Sequence, residues 1–395
     1  FPVRFSIKDA GVRISKVPES LHKNFSSRFA AFLDSAKKNQ SRPVKELLDV
    51  NEGESLYLQT RHDDAALLHC LIEDAVHKYG DKTAVYCGED LYSYSQINSG
   101  ASDIAAWLLS SGFIKGDVIA CFGRPSANGL IAMLGILKAG CVYLPLPTDA
   151  PGKRIDLLLE LSGAGVVLKT GSVKLPSGSA RHLKVFEMNA LERPDSEYSR
   201  EMEQTVVDGD SPAIVVFNRS LSGTPEALTI PHASLVDYAI INSELLGLDS
   251  ESKVLLMHGS VCGQFEHDIL SPLAAGAEII LPSDGCDFRT VFENAEDRDA
   301  DVCVIDASYC RAISLTSDDY LFPETVKTLV IQEQLSCSCG CTLKPDDIPG
   351  VRVIKQCSRF AFSLISDFNT RGNLDSHCVL IHNNQLNEIS KQRLL

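Results

Sequence analysis

The sequence predicts an α/β protein built from two helix-flanked, mostly parallel sheets in successive subdomains. Three observations predict it. From about residue 66, short β-branched or apolar runs alternate with amphipathic helical segments, the rhythm of βαβ units in a parallel sheet. A second series of the same kind begins near residue 213, after a polar, charged stretch at 190–210. At 395 residues, 44% of them hydrophobic, the chain can bury a sizeable core, and its mixed charge argues against wholesale disorder.

The elements follow in order. Residues 19–38 carry Leu21, Phe25, Phe29, Phe32 and Leu33 at helical spacing, with Pro18 and Glu19 suited to a first turn. A polar stretch, Pro43 and a short apolar segment lead into a linker at 49–65. Thr83–Cys87 reads as a strand. Residues 94–111 read as a helix, with Ile97, Ala101, Ile104, Ala105 and Leu108 on one face and Gly112 at its end. Strands at Asp117–Phe122, Cys141–Leu146 and Val166–Lys169 alternate with helices at 126–138 and 151–162. The second series has strands at Ala213–Phe217, Val254–Met257, Glu278–Leu281, Val302–Ile305 and Val326–Ile331, with helices at 231–245 and 265–275. The chain thus divides into 1–48, a linker at 49–65, a first subdomain at 66–205 and a second at 206–395.

Charge and cysteine usage narrow the function classes. A net charge of -15 repels phosphate backbones, so nucleic acid is not an expected partner. No apolar run is long enough to span a bilayer and no signal peptide is expected, so no membrane partner is expected either. The start, Phe1–Phe5, reads as a cut within a larger protein. Thirteen scattered cysteines, an odd number, point to reduced thiols and a cytoplasmic setting. Cys337, Cys339 and Cys341 form the one cluster; with no CxxC pair to support it, a loop of small residues is expected there and no metal.

Three segments in order carry a family resemblance. Leu91–Tyr92–Ser93–Tyr94–Ser95–Gln96–Ile97 stands where "LTYxEL" is expected. Leu137–Lys138–Ala139–Gly140–Cys141–Val142–Tyr143–Leu144–Pro145–Leu146 is close to "LKAGxAYVPL". Pro151–Gly152–Lys153–Arg154–Ile155 and Leu161–Ser162–Gly163–Ala164 continue it as "PxxRI…DSGA". Residues 66–168 therefore resemble the N-terminal part of adenylate-forming enzymes, specifically the adenylation domains of nonribosomal peptide synthetases. Residues 1–48 are similar to the last strand, last helix and linker of a condensation domain. The resemblance implies the fold of the N-terminal domain of adenylate-forming enzymes. With no "YRTGD" segment found, the small C-terminal domain is expected to be absent.

It also implies where the chemistry should be. Intact members join a carboxylate to ATP with Mg²⁺, wrapping the phosphates in a "TSGSTGxPKG" loop. Here the loop reads Asn218–Arg219–Ser220–Leu221–Ser222–Gly223–Thr224–Pro225–Glu226–Ala227, followed by Ile230–Pro231–His232. Ser222, Gly223, Pro225 and His232 keep the register, and Ser220 replaces a glycine that turns tightly. Glu226 replaces the lysine, so a cation becomes an anion, and at roughly 4–6 Å from a polyphosphate a like charge opposes binding. Arg219 supplies a nearby cation. The expectation is a vestigial loop of Asn218, Arg219, Ser220, Ser222, Gly223 and Glu226.

The substrate pocket changes in the same direction. Ser271–Ala277 sets the register of "FDxSVWE…SPLxxGA", which puts Gly263 at the aspartate that pairs with a substrate ammonium. A vestigial pocket of Gly263, Gln264 and His267 is expected, with Glu266, His267 and Asp268 as acids and polar groups at a helix start. In place of a "GGE" turn stands Gln332–Glu333–Gln334. In place of "NxYGPTE", after a strand at Val351–Ile354, stands Lys355–Gln356–Cys357–Ser358–Arg359–Phe360–Ala361.

The function these substitutions imply is a non-catalytic pseudo-adenylation domain, a structural or docking element between condensation and carrier domains of a synthetase, by analogy a siderophore-producing one. No catalytic residue, cofactor or metal of its own is expected, against ATP and Mg in intact members. Two alternatives stand beside it. One is an active or weakly active amino-acid or carboxylic-acid ligase using Arg219. The other is a regulatory module that binds a ligand without turnover.

Overall fold

The computed structural model describes residues 67–191, 207–217, 225, 227–257, 266, 268–282, 287, 289–306, 309, 322–332 and 350–354, with backbone alone for 4–8, 11–15, 218–219, 226, 288, 355–359, 362–368 and 374–375. The helix expected over 19–38, the linker at 49–65 and the cysteines at 337, 339 and 341 lie outside the described residues. In the front segment, strands β1 (Arg4–Lys8) and β2 (Gly11–Ser15) form an antiparallel hairpin.

Beyond residue 67 the chain alternates as expected. Helix α1 (Leu68–Tyr79) precedes β3 (Thr83–Cys87) and β4 (Asp90–Ser93). Helix α2 (Tyr94–Ser110) follows, then β5 (Val118–Phe122), α3 (Ala127–Lys138), β6 (Val142–Leu146), α4 (Gly152–Ser162), β7 (Val166–Lys169) and β8 (Lys184–Glu187). The second series runs β9 (Pro212–Arg219), β10 (Pro225–Pro231), α5 (His232–Leu246), β11 (Lys253–Met257), α6 (Leu270–Ala275) and β12 (Glu278–Leu281). It ends with α7 (Phe288–Asp297), β13 (Val302–Asp306), β14 (Thr328–Gln332), β15 (Arg352–Arg359), β16 (Phe362–Phe368) and β17 (Leu374–Asp375).

Local chemistry starts several of these helices. Ser93 opens α2 with a reciprocal box: its Oγ accepts from Gln96 N–H at 3.2 Å, and Ser93 N–H donates to Gln96 Oε1 at 2.8 Å. Ser126 Oγ accepts from Gly129 N–H at 3.2 Å at the start of α3, and Asp287 Oδ1 from Thr290 N–H at 2.9 Å at the start of α7.

The strands assemble into two larger sheets among the described residues. One has the order β10-β9-β6-β5-β7-β8, the other β17-β16-β15-β14-β13-β11-β12-β3-β4. The inner strands of both are parallel, and antiparallel pairing is confined to their margins, at β9–β10, β3–β4 and β15–β16–β17. The sheets are mostly parallel as expected, but they are not successive in the chain. β3 pairs in parallel with β12, matching Val85 to Ile279, while β9 and β10 complete the smaller sheet. The polar stretch at 190–210 is thus a connection into the last strands of the first sheet. It does not divide one sheet from the other.

The period of two along each strand sets the layers. In β5, Ile119 and Cys121 join the central core, whereas Ala120 and Phe122 join a second cluster with Ile155, Leu158 and Leu159 of α4. In β11, Val254 and Leu256 join the central core, whereas Leu255 and Met257 pack with Val291, Phe292 and Ala295 of α7. Helices α1, α2, α3, α5 and α6 all contribute to the central core. The result is five layers: α4, the smaller sheet, a shared helix layer, the larger sheet and α7. No helix among the described residues is long and apolar enough to cross a membrane.

The shared layer is tight where α2 meets α3. A Cβ placed on Gly135 would lie 2.6 Å from Ile104 Cβ and 2.7 Å from the Ala101 carbonyl oxygen. Gly135→Ala should therefore destabilise the fold by about 1–3 kcal/mol through overpacking. Helix propensity alone predicts a gain of about 1 kcal/mol. Urea denaturation of the two proteins decides between the signs.

Candidate functional site

Connections that leave neighbouring strands toward opposite faces open a crevice at the strands' carboxyl ends. Both sheets have such a point. β5 leads to α3 in the shared layer while its neighbour β6 leads to α4 outside; β11 leads to α6 inside while its neighbour β12 leads to α7 outside. Of the described residues singled out in the sequence, Arg219 ends β9 and Gln332 ends β14. Groups from both sheets act on one another through space there: burial and Asp306, at the end of β13, raise the Tyr309 phenol, and Arg124, just after β5, opposes that rise.

The phosphate-loop segment is a hairpin. Asn218 and Arg219 are the last residues of β9, and Glu226 is the second residue of β10. The register sets Glu226 opposite Asn218 and Pro225 opposite Arg219. Residues 220–224, with Ser220, Ser222 and Gly223, lie outside the described residues. Asn218, Arg219 and Glu226 are therefore on paired strands. Glu226 sits at a fixed ladder position beside the five-residue connection.

Gly263, Gln264 and His267 also lie outside the described residues, but the acids beside them do not. Glu266 and Asp268 have helical backbone, as expected of a helix start, yet they are 7% and 4% exposed and face inward. The Tyr143 hydroxyl, from β6, donates to Glu266 Oε1 at 3.1 Å. The Tyr238 hydroxyl of α5 donates to Asp268 Oδ1 at 3.4 Å, and Gln332 Nε2 at the end of β14 donates to the same oxygen at 2.9 Å. Asn242 Nδ2 donates to Ser271 Oγ at 3.0 Å nearby. A dipole-facing helix start is thus corrected to a buried polar network. A desolvated carboxylate is retained only with donors, and three elements supply them. Close by, Cys121 is buried, and burial together with the Glu266 carboxylate raises its thiol well above the ordinary range.

Sequence reasoning missed Tyr143, Tyr238 and Gln332 as network members. One signal for Asp268 was present. Counting forward from Gly263 in "FDxSVWE" puts Asp268 on the motif's final acid. Gln332 was expected in a turn, and the structure places it as the last residue of β14, 2% exposed. The strand expected at Val351–Ile354 runs on into the segment that stands for "NxYGPTE": β15 continues to Arg359 and pairs back with β16, Arg359 opposite Phe362. Among the described residues no group of three or more His, Cys, Asp or Glu side chains could hold a metal ion.

The model of the AMP-binding enzyme family matches residues 72–328. Bacitracin synthase 1 of Bacillus licheniformis is 29% identical over 217 residues, covering 54% of this chain and 4% of that protein. Nonribosomal peptide synthetase 8 of Aspergillus fumigatus is 26% identical over 224 residues, covering 55% of this chain and 2% of that protein. The chain thus spans only a few per cent of the length of these relatives. The N-terminal subdomain of Klebsiella oxytoca NpsA, solved with anthranilyl-AMSN, superposes with a TM-score of 0.65 at 17% identity, covering 80% of this chain and 82% of that one. That likeness shows a shared fold.

Gln332→Leu removes one donor from the buried Asp268 carboxylate while keeping an apolar volume. It should lower stability by about 1–3 kcal/mol. Chemical denaturation of parent and variant measures this directly.

Proposed function

The chain belongs to the family of AMP-binding enzymes, as an adenylation domain of the nonribosomal peptide synthetase kind, and from that premise we propose that it is a non-catalytic one. It acts as a packed structural or docking element beside the condensation and carrier domains of a synthetase. The observation that carries this reading is Glu226, held at a fixed position on the hairpin that flanks residues 220–224. A polyphosphate approaching that loop meets an anion where the family pattern has a lysine. Two unit charges about 5 Å apart interact by roughly 3 kcal/mol at an effective dielectric near 20, so the sign of this one residue matters.

The pocket position supports the same reading. Gly263 has no side chain with which to pair a substrate ammonium. The nearest described carboxylates, Glu266 and Asp268, accept hydrogen bonds from Tyr143, Tyr238 and Gln332. Committing these acids to internal partners maintains the body of the fold. Intact relatives use ATP and Mg²⁺, and on this reading the chain requires neither.

ATP–pyrophosphate exchange with a panel of amino and carboxylic acids should stay at the no-enzyme background. Exchange with any acid in the panel would overturn the proposal in favour of an altered, working ligase.

A further inference from the structure

Helix α1 begins without a cap of its own. Its N-cap residue, Leu67, has extended backbone and no side-chain acceptor, and the first turn carries no acid. The first amide of the helix is nonetheless satisfied. Leu68 N–H donates to His232 Nδ1 at 3.3 Å, across 164 residues of chain. His232 opens α5 and directly follows β10, the return strand of the 220–224 hairpin.

Both partners are deep. Leu68 and His232 are each 0% exposed. The His69 ring meets the His232 ring edge-on, with centroids 5.7 Å apart and an interplanar angle of 84°. His232 Nε2 and His69 Nδ1 are buried and find no hydrogen-bond partner among the described residues. An amide N–H donates only to a ring nitrogen that carries no proton. The contact therefore holds His232 neutral, with its proton on Nε2.

The charged surroundings agree. Around His232, His69 on α1 and Lys115 before β5 oppose a positive ring, while Asp208 before β9 favours one. Burial outweighs all of them and holds the imidazole down to about 3. Around His69, burial and Lys138 of α3 lower the ring against the pull of Glu73.

We propose that His232 is a tertiary helix cap that makes the anchoring of α1 dependent on pH. The neutral ring holds the Leu68 amide, and a proton on Nδ1 displaces that donor and releases the first turn of α1. The sign follows from proton counting. The folded ring titrates below the free ring, whose value is 6.5. Between those values the released state binds more protons than the folded one. Anchoring is complete above the free-ring value and weakens steadily as pH falls toward the folded one. The same ring joins α1 to the end of the hairpin, so both respond together.

The test uses the whole chain. Ring proton resonances of His232 are followed by NMR between pH 7.5 and 5, with amide hydrogen exchange of residues 68–71 corrected for intrinsic rates. The ring should remain neutral in the folded protein, while the opening constant at Leu68 rises by about 30-fold over that range. In His232→Gln, whose side-chain oxygen is an acceptor that does not titrate, that rise should flatten. A folded-state His232 titration near that of a free imidazole overturns the proposal. So does a Leu68 opening constant that ignores pH, or a His232→Gln variant that keeps the full pH response.

Discussion

The rest of the structure depends on one constraint: two parallel sheets must cover their inner faces with the same layer of helices. Helices α1, α2, α3, α5 and α6 serve both sheets at once, so their spacing is set from two sides. Gly135 lets α3 approach α2 closely enough to fit that space. The Tyr94 hydroxyl of α2 donates to the Ala277 carbonyl at 2.8 Å, tying the layer to the start of β12. A small change in the layer moves the carboxyl ends of both sheets relative to each other, and the candidate site lies at those ends. On the proposed reading the fold is kept while the site changes, because packing and catalysis make demands on different residues.

The hairpin that carries the phosphate-loop segment keeps a paired ladder on each side of residues 220–224, but its charge at position 226 is reversed. Glu266 and Asp268 accept hydrogen bonds from hydroxyl and amide donors on β6, α5 and β14. Buried carboxylates satisfied in this way stabilise a unique arrangement of the surrounding elements. His232 extends the same theme, since a residue that keeps the register of the family motif serves as the cap of a distant helix.

Much of the fold was legible because its signals are local. Thr83–Cys87, Val166–Lys169 and Glu278–Leu281 are strands from end to end as read, since β-branched runs bounded by polar residues have few other uses. Other features were not legible because their causes are distant. Helix α1 lacks a side-chain cap, and the group that satisfies it arrives from residue 232. Strand β10 was hidden inside a segment read as loop, and α7 has few apolar residues, with only one face against the core. Sheet membership is a matter of pairing across nearly 200 residues, as between Val85 and Ile279, which no local pattern encodes. The site followed the same rule. Glu226 and Gly263 could be named from motif register, whereas Tyr143 and Gln332 became visible only when the strands that carry them were brought beside Asp268 and Glu266.

On the proposed reading, Glu226 puts a carboxylate where the family pattern has a phosphate-binding lysine. Calorimetric titration of millimolar Mg-ATP into the parent chain and into Glu226→Lys tests it most directly. The account predicts no measurable binding heat for the parent and a detectable gain for the variant. Tight binding by the parent, or weaker binding by the variant than by the parent, would contradict it.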